Sequence, residues 1–325
     1  MPSEFELIGR YFERPAPTAD LGVGDDAALL PVSAGTQLVV STDMLVEGTH
    51  FLADTDPRLL GWKTVAVSVS DLAAMAARPR WATLAVSLPA ADETWLAAFA
   101  AGVFDCCESF GLELVGGDTT RGPRNLCATV FGEVPRGQAV TRAAARPGDD
   151  IWVSGQPGRA GLALAHLMDV VALCDRLREE CLAALHQPRP RLALGLALRG
   201  VASAMLDVSD GLLGDLGHIL TRSQVGARLF ERLLPLQLLV HAVTDDERAR
   251  HALLGGGDDY ELLFCAPVAM RARIGALADA VATQVHRIGT VLVDPGRFEL
   301  EGADGERRPL APSGFRHFPG EGDKH

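Results

Sequence analysis

The chain has 325 residues, of which 48% are hydrophobic, 22% charged and 6% aromatic; this fits one large or two medium globular domains and excludes a disordered, fibrous or disulfide-stapled protein. Its formal net charge of −12 sets the protein's own field against a duplex or an anionic bilayer, so neither nucleic acid nor membrane is expected as a partner. Lys63 and Lys324 are the only lysines, and neither follows a glycine-rich loop, which excludes a Walker-type phosphate site.

The opening segment MPSEFELIGRYF carries acidic residues where a signal peptide needs a basic region, and it lacks an apolar stretch. No apolar run reaches the ~18 residues of a membrane span. The six cysteines, Cys106, Cys107, Cys127, Cys174, Cys181 and Cys265, show no metal-ligand spacing and read as small buried thiols. A cytoplasmic, reducing location is expected. Periodicity predicts strands over 37–41, 83–88, 112–115 and 126–134, with helices over 57–77 and 92–110. In the second helix Asp92 reads as the N-cap and Gly111 as the stop, with Trp95, Phe99, Val103 and Cys107 on one core-facing stripe. Residues 135–149 are short of apolar side chains and rich in Arg, Pro and Gly, which places a boundary between domains 1–138 and 139–325. Beyond it DIWVSG opens a strand. Helices follow near 160–170, 175–186 and 189–200, the last with Pro190 in its first turn. Further strands are expected over 204–208, 226–230, 261–265 and 285–290, and from Pro312 onward the chain looks loosely packed apart from Phe315 and Phe318. The alternation makes the fold class α/β or α+β.

Six segments share one design, in which a strand or helix end is followed by aspartates flanked by glycine or hydroxyl residues: GVGDDAALL (22–30), STDMLVEGTHF (41–51), SVSDLAAM (68–75), VGGDTTRG (115–122), LDVSDGLLGDL (206–216) and GGGDDYELLF (255–264). Any one of them is an ordinary turn. Together they suggest convergence, and converging carboxylates repel by roughly 4 kcal/mol per pair at 4 Å and an effective dielectric of ~20, so such a cluster requires cations or protonation. Oxygen-only donors favour a hard ion, and Mg²⁺ bridging aspartates to phosphates fits better than a self-contained calcium loop. The glycines of these segments let backbone N–H groups approach phosphate oxygens. Arg121 and Arg142 offer fixed positive charge at a phosphate or are plain surface residues, and His50 either touches substrate or holds its own loop. No nucleophile triad, GxSxG or GxGxxG arrangement is present.

The ordered set GVGDDAAL, STDMLVEGTHF, SDLAAMAARP, GGDTTRGP, DVSDGLLGDLGHI and GGDDYELLF closely resembles bacterial thiamine-monophosphate kinases, within the wider group of aminoimidazole-ribonucleotide synthetase-like ATP-using enzymes. The resemblance spans residues 4 to 318. It implies a two-domain α/β chain with an N-terminal ATP/Mg-binding and dimerisation domain and a C-terminal α/β domain with a substrate-contacting tail. It further implies a homodimer whose N-terminal strands form a barrel across the two-fold, and Mg²⁺-dependent in-line transfer of the ATP γ-phosphoryl group to thiamine monophosphate. By resemblance, Asp26, Ser41, Thr42, Asp43, Asp71, Asp118, Asp207 and Asp210 form the Mg²⁺ set, and Asp43, Asp118 and Asp210 act in catalysis through the metal without a dedicated base. Gly117, Asp118, Arg142 and Ser209 are the implied nucleotide contacts; His50, Asp258 and Phe315 are the implied substrate contacts. One departure stands out: Asp258 occupies a position where the family often has Glu, one methylene longer. The alternatives are another ATP-using enzyme of the same group and a non-catalytic Mg-nucleotide-binding dimer.

Overall fold

The computed structural model describes residues 4–243, 245–315 and 317, so Phe318 lies outside the described residues. The chain divides into two compact units, residues 1–139 and 140–325.

The first unit runs α1 (Glu4–Tyr11), β1 (Thr36–Val46), α2 (Pro57–Ala74), β2 (Arg78–Leu88), α3 (Glu93–Phe110), β3 (Glu113–Arg121) and β4 (Asn125–Pro135). Its four-stranded sheet has the order β1-β4-β2-β3; β1 and β2 pair antiparallel with β4, and β3 pairs parallel with β2. Asp56 starts α2 by accepting from the N–H groups of Arg58 and Leu59, with Pro57 in the first turn. Nearly every residue of α2 from Leu60 to Ala74 is buried, because the helix is wedged between β1 and β4 on one side and α3 on the other. The helix α3 is capped by Asp92, which accepts from Thr94 and Trp95, and ends at Gly111 in the left-handed region at φ 69°. Phe99, Val103 and Cys107 of its predicted stripe are buried, and Trp95, at the stripe's edge, stacks on Phe99 at a centroid distance of 4.9 Å. The opposite face of the sheet carries exposed apolar side chains: Leu38, Val40 and Met44 are 40%, 52% and 53% exposed.

The second unit runs β5 (Asp150–Ser154), α4 (Arg159–Leu167), α5 (Asp175–His186), α6 (Leu192–Ala197), β6 (Ala204–Val208), α7 (Leu212–Ser223), β7 (Gly226–Phe230), α8 (Gln237–Val243), α9 (Asp246–Gly255), β8 (Glu261–Ala266), α10 (Arg271–Ala280), β9 (Val285–Leu292), β10 (Phe298–Glu301) and β11 (Arg307–Pro309). Its seven-stranded sheet has the order β11-β10-β7-β9-β5-β8-β6. All pairs are antiparallel except β10 with β7, which makes the architecture layered α+β rather than a parallel doubly wound sheet. The strands β5, β6 and β8 are buried throughout. Residues of α4, α5, α7, α8 and α9 join Ile151, Val153, Leu206, Val208 and Leu263 in one apolar core.

Several expected boundaries shift. Rather than stopping at residue 41, β1 continues to Val46, and β3 continues through Gly116–Arg121, so STDM and GGDTTR are strand segments and not turns at strand ends. The helix over 57–77 stops at Ala74 and β2 begins at Arg78. Pro190 precedes the helical residues of α6, which start at Leu192. Residues 312–314 are not loose: an added Cβ at Gly217 would sit 2.8 Å from Pro312 Cβ, and one at Gly214 would sit 3.2 Å from the Ser313 carbonyl oxygen. Phe315, by contrast, is half exposed. The six cysteines are free thiols; Cys106, Cys107, Cys181 and Cys265 are buried, whereas Cys127 and Cys174 are partly exposed.

Candidate functional site

In the first unit two hydrogen bonds cross between β1 and α2. Ser68 of the helix donates to Asp43 Oδ2 of the strand at 2.8 Å, and Ser41 of the strand donates to Asp71 Oδ2 of the helix. Alternation along β1 turns Ser41 and Asp43 toward α2, while Thr42 faces the other way, where its hydroxyl shares a 2.8 Å hydrogen bond with that of Thr129. Burial, and then the Asp71 charge, push the Asp43 carboxyl up to about 6, with the Ser68 hydroxyl opposing them. Two neighbouring carboxylates, each with a hydroxyl hydrogen-bonded to it, have the chemistry of a site for a hard cation.

The other predicted ligands of this unit do not join that pair. Asp118 pairs with Ala85 of β2, Ala85 with Cys127 of β4, and Cys127 with Met44 of β1. It therefore lies three strands from β1, roughly 14 Å at ~4.8 Å per strand, in the cross-strand row of Met44 and not that of Asp43. Asp26 sits in an exposed turn and donates its N–H to Asp25 Oδ1 at 2.8 Å. Among the described residues, no three His, Cys, Asp or Glu side chains are close enough to share one metal ion. An all-protein cage is thus absent from those residues, and the pair fits the way Mg²⁺ is usually held, by one or two carboxylates plus substrate phosphates.

Gly117 has a packing reason to be glycine, since a Cβ there would lie 1.9 Å from the Leu84 carbonyl oxygen; the residue itself is exposed. His50 spends Nδ1 on its own loop, accepting from the Val46 N–H at 3.0 Å, so the neutral ring carries its proton on Nε2.

In the second unit the structure brings four predicted residues together. The loop between β6 and α7 carries Ser209 and Asp210; the Ser209 carbonyl accepts from the Asp258 N–H at 2.8 Å, and the Asp210 carbonyl accepts from the Phe315 N–H at 2.9 Å. Asp207 is buried on β6 opposite Leu262. Asp258 and Tyr260 both occupy the left-handed region, at φ 65° and 51°, and the Tyr260 hydroxyl donates to Asp258 Oδ1 at 2.9 Å. Non-glycine residues held in that region mark a loop whose shape is imposed by its surroundings. Arg142 is exposed, and its carbonyl accepts from the Ser223 hydroxyl at 3.0 Å.

Three acids of these motifs were not singled out from sequence. Asp215 on α7 accepts from the N–H groups of Ser209, Asp210 and Gly211 at 3.0, 3.1 and 3.2 Å; burial pushes it up to about 7 against those donors. Asp259 accepts from the Gly158 N–H at 2.7 Å at the start of α4, and burial raises its carboxyl. Glu261 takes two 2.6 Å bonds from the Arg191 guanidinium and one of 2.6 Å from the Ser154 hydroxyl. A first-turn acid following the Ser-Asp-Gly turn was the available signal for Asp215. Nothing in DDYE separates Asp258 from Asp259 and Glu261 before the fold is known.

Residues 24–134 match the model of the AIR synthase related protein N-terminal domain, and residues 146–300 match that of its C-terminal domain. Thiamine-monophosphate kinase of Escherichia coli strain K12 is 42% identical over 323 residues, covering 97% of this chain and 98% of that protein. Among solved structures, thiamine-monophosphate kinase from Stenotrophomonas maltophilia K279a has a TM-score of 0.81 and 44% identity, covering 94% of this chain and 96% of its own. A structure described as AaThiL complexed with AMPPCP and TMP has a TM-score of 0.75 and 28% identity, covering 97% and 96%.

Proposed function

From a chain that belongs to the thiamine-monophosphate kinases of the AIR synthase related family, we infer ATP-dependent phosphorylation of thiamine monophosphate to thiamine diphosphate, with Mg²⁺ and by direct in-line transfer. Full-length identity of 42% to the Escherichia coli enzyme carries the kinase assignment, and the relative complexed with AMPPCP and TMP supports the substrate pair. The crossed Asp43–Asp71 pair carries the metal reading, because it holds two hard donors in a mutual repulsion that a divalent cation relieves.

In this reading Asp43, Asp71 and Ser41 would hold Mg²⁺, which would supply positive charge to screen the phosphates of donor and acceptor. The family also implies metal or phosphate contacts for Asp26, Thr42, Asp118, Asp207 and Asp210, although within one chain Thr42 and Asp118 lie apart from the Asp43–Asp71 pair. Gly117, Arg142 and Ser209 bind the nucleotide. His50 offers Nε2–H as an acceptor-side donor, Asp258 is fixed by the Tyr260 hydroxyl, and the half-exposed Phe315 ring supplies an aromatic face for a heterocycle. The accepting atom is a phosphate oxygen already ionised near neutral pH, so these residues need only position it, and no histidine or carboxylate has to act as a strong base. Leu38, Val40 and Met44 present the open sheet face to a second copy of the chain, giving a homodimer in the cytoplasm. Among the described residues no helix is long and apolar enough to cross a membrane.

Incubation of the purified protein with ATP, Mg²⁺ and thiamine monophosphate is expected to yield thiamine diphosphate and ADP, to stop with EDTA, and to fail with thiamine or an aminoimidazole ribonucleotide precursor. Turnover of those compounds instead would overturn the assignment.

A further inference from the structure

Asp215 is 3% exposed on the first turn of α7. Each of the three N–H groups that its Oδ2 accepts belongs to a peptide group whose carbonyl is also engaged. The Val208 carbonyl accepts from the Tyr260 N–H at 2.8 Å, the Ser209 carbonyl from the Asp258 N–H at 2.8 Å, and the Asp210 carbonyl from the Phe315 N–H at 2.9 Å. One carboxylate oxygen thus gathers three consecutive peptide groups, and each passes the constraint on by one more hydrogen bond. A peptide group is planar, so fixing its N–H direction fixes its C=O direction, and hydrogen bonds in series polarise one another.

Close packing carries the same connection a second time. An added Cβ at Gly314 would lie 2.5 Å from the Asp210 carbonyl oxygen, and the segment ahead of Phe315 lies directly on α7 at Gly214 and Gly217. Residues 312–315 are therefore seated against the very turn that Asp215 organises.

We propose that Asp215 is a positioning residue for the acceptor side of the reaction: it holds Asp258 and Phe315 in register with each other and with Asp210 through the peptide groups of residues 208–211. The proposal rests on the reading that Asp258 and Phe315 meet thiamine monophosphate. It gives a fully buried acid of the DGLLGDL segment a task that involves no contact with substrate or metal.

The test uses full-length Asp215→Asn, which keeps the volume and one acceptor oxygen, and Asp215→Ala, which keeps neither. Gly217→Ala disturbs the seat of Pro312 without touching Asp215. Amide hydrogen exchange in the substrate-free protein is expected to quicken by about tenfold at Asp258, Tyr260 and Phe315 in Asp215→Asn, while the amides of β8 keep their protection. The KM for thiamine monophosphate is expected to rise by about tenfold in Asp215→Asn and further in Asp215→Ala, with a smaller change in the KM for ATP. Gly217→Ala is expected to raise the acceptor KM and to quicken Phe315 alone. Unchanged exchange at the three amides overturns the proposal, as does a fall in melting temperature and kcat with the acceptor KM unmoved, which would make Asp215 a helix-capping residue only. Should the wild-type protein fail to phosphorylate thiamine monophosphate, the functional reading falls, and exchange alone decides whether Asp215 organises the loop.

Discussion

In the proposed reading, Asp43 serves metal binding at the expense of the fold. Its carboxyl titrates near 6 against an ordinary value of 3.8, first because it is buried and then because Asp71 adjoins it. Between those two values the folded, metal-free chain holds a proton that the unfolded chain has released, so stability falls as pH rises through that window and the loss persists above it. At ~1.4 kcal/mol per pH unit the loss amounts to a few kcal/mol. Asp43→Asn keeps the shape and a partner for Ser68 while removing the charge. The variant is expected to be more stable than the parent at pH 7 without Mg²⁺, by on the order of 1 to 3 kcal/mol, with the difference vanishing near pH 4; urea melts at the two pH values check this. Its turnover is expected to fall at least ~100-fold at saturating Mg²⁺. His50 is a different case, because its Nδ1 already serves the Val46 N–H. His50→Ala is expected to cost ~1 kcal/mol for the lost bond and to raise the KM for thiamine monophosphate; a lower melting temperature with an unchanged KM would confine the ring to its loop. Residue types and their order exposed these candidates in the sequence, but which acids face a ligand did not show there. Asp258 and Asp259 are adjacent and chemically identical, and only the fold seats Asp259 at the start of α4 while Tyr260 engages Asp258.

At the level of elements, apolar periodicity was readable and its interruptions misled. The caps of α3 and the cores of most strands follow from local pattern. The extensions of β1 through STDMLV and of β3 through GGDTTR do not, because hydroxyl, acid and glycine residues in series resemble a turn; they are tolerated in strands here because much of each strand lies on an open face. Gly214 and Gly217 masked α7 in the same way, since glycine weakens a helix pattern while making room for residues 312–314. Glycine also sets the crossing of α2 and α3. A Cβ at Gly102 would lie 1.8 Å from the Arg58 carbonyl oxygen, and one at Gly61 would lie 2.1 Å from that of Phe99. Both obstacles are backbone, so no side chain can rotate away. Gly102→Ala is therefore expected to destabilise the first unit by roughly 1–3 kcal/mol despite alanine's better helix propensity. A chemical-denaturation midpoint at or above that of the parent would show that the two helices separate at little cost.

At the scale of the whole molecule, the sheet of the first unit is covered by α2 and α3 on one side only. Its other side carries Leu38, Val40 and Met44 on β1, an eleven-residue edge strand. Long exposed edges and apolar sheet faces favour association and are seldom left bare in a stable monomer. A second copy of the same chain is the occupant that the family resemblance implies, and a two-fold contact through this face would bury Val40 of both copies. A charge buried there without a partner costs more than an interface of ordinary size can readily absorb. Val40→Asp is therefore expected to leave the far-ultraviolet circular dichroism of each chain intact, because Val40 is already 52% exposed within it, while light scattering in solution reports half the parent mass. Activity is expected to fall by at least about tenfold in the monomer and to recover in part as protein concentration is raised, following mass action. A variant that keeps the parent's mass and turnover would remove this sheet face from the assembly and leave Leu38, Val40 and Met44 as surface residues of the single chain.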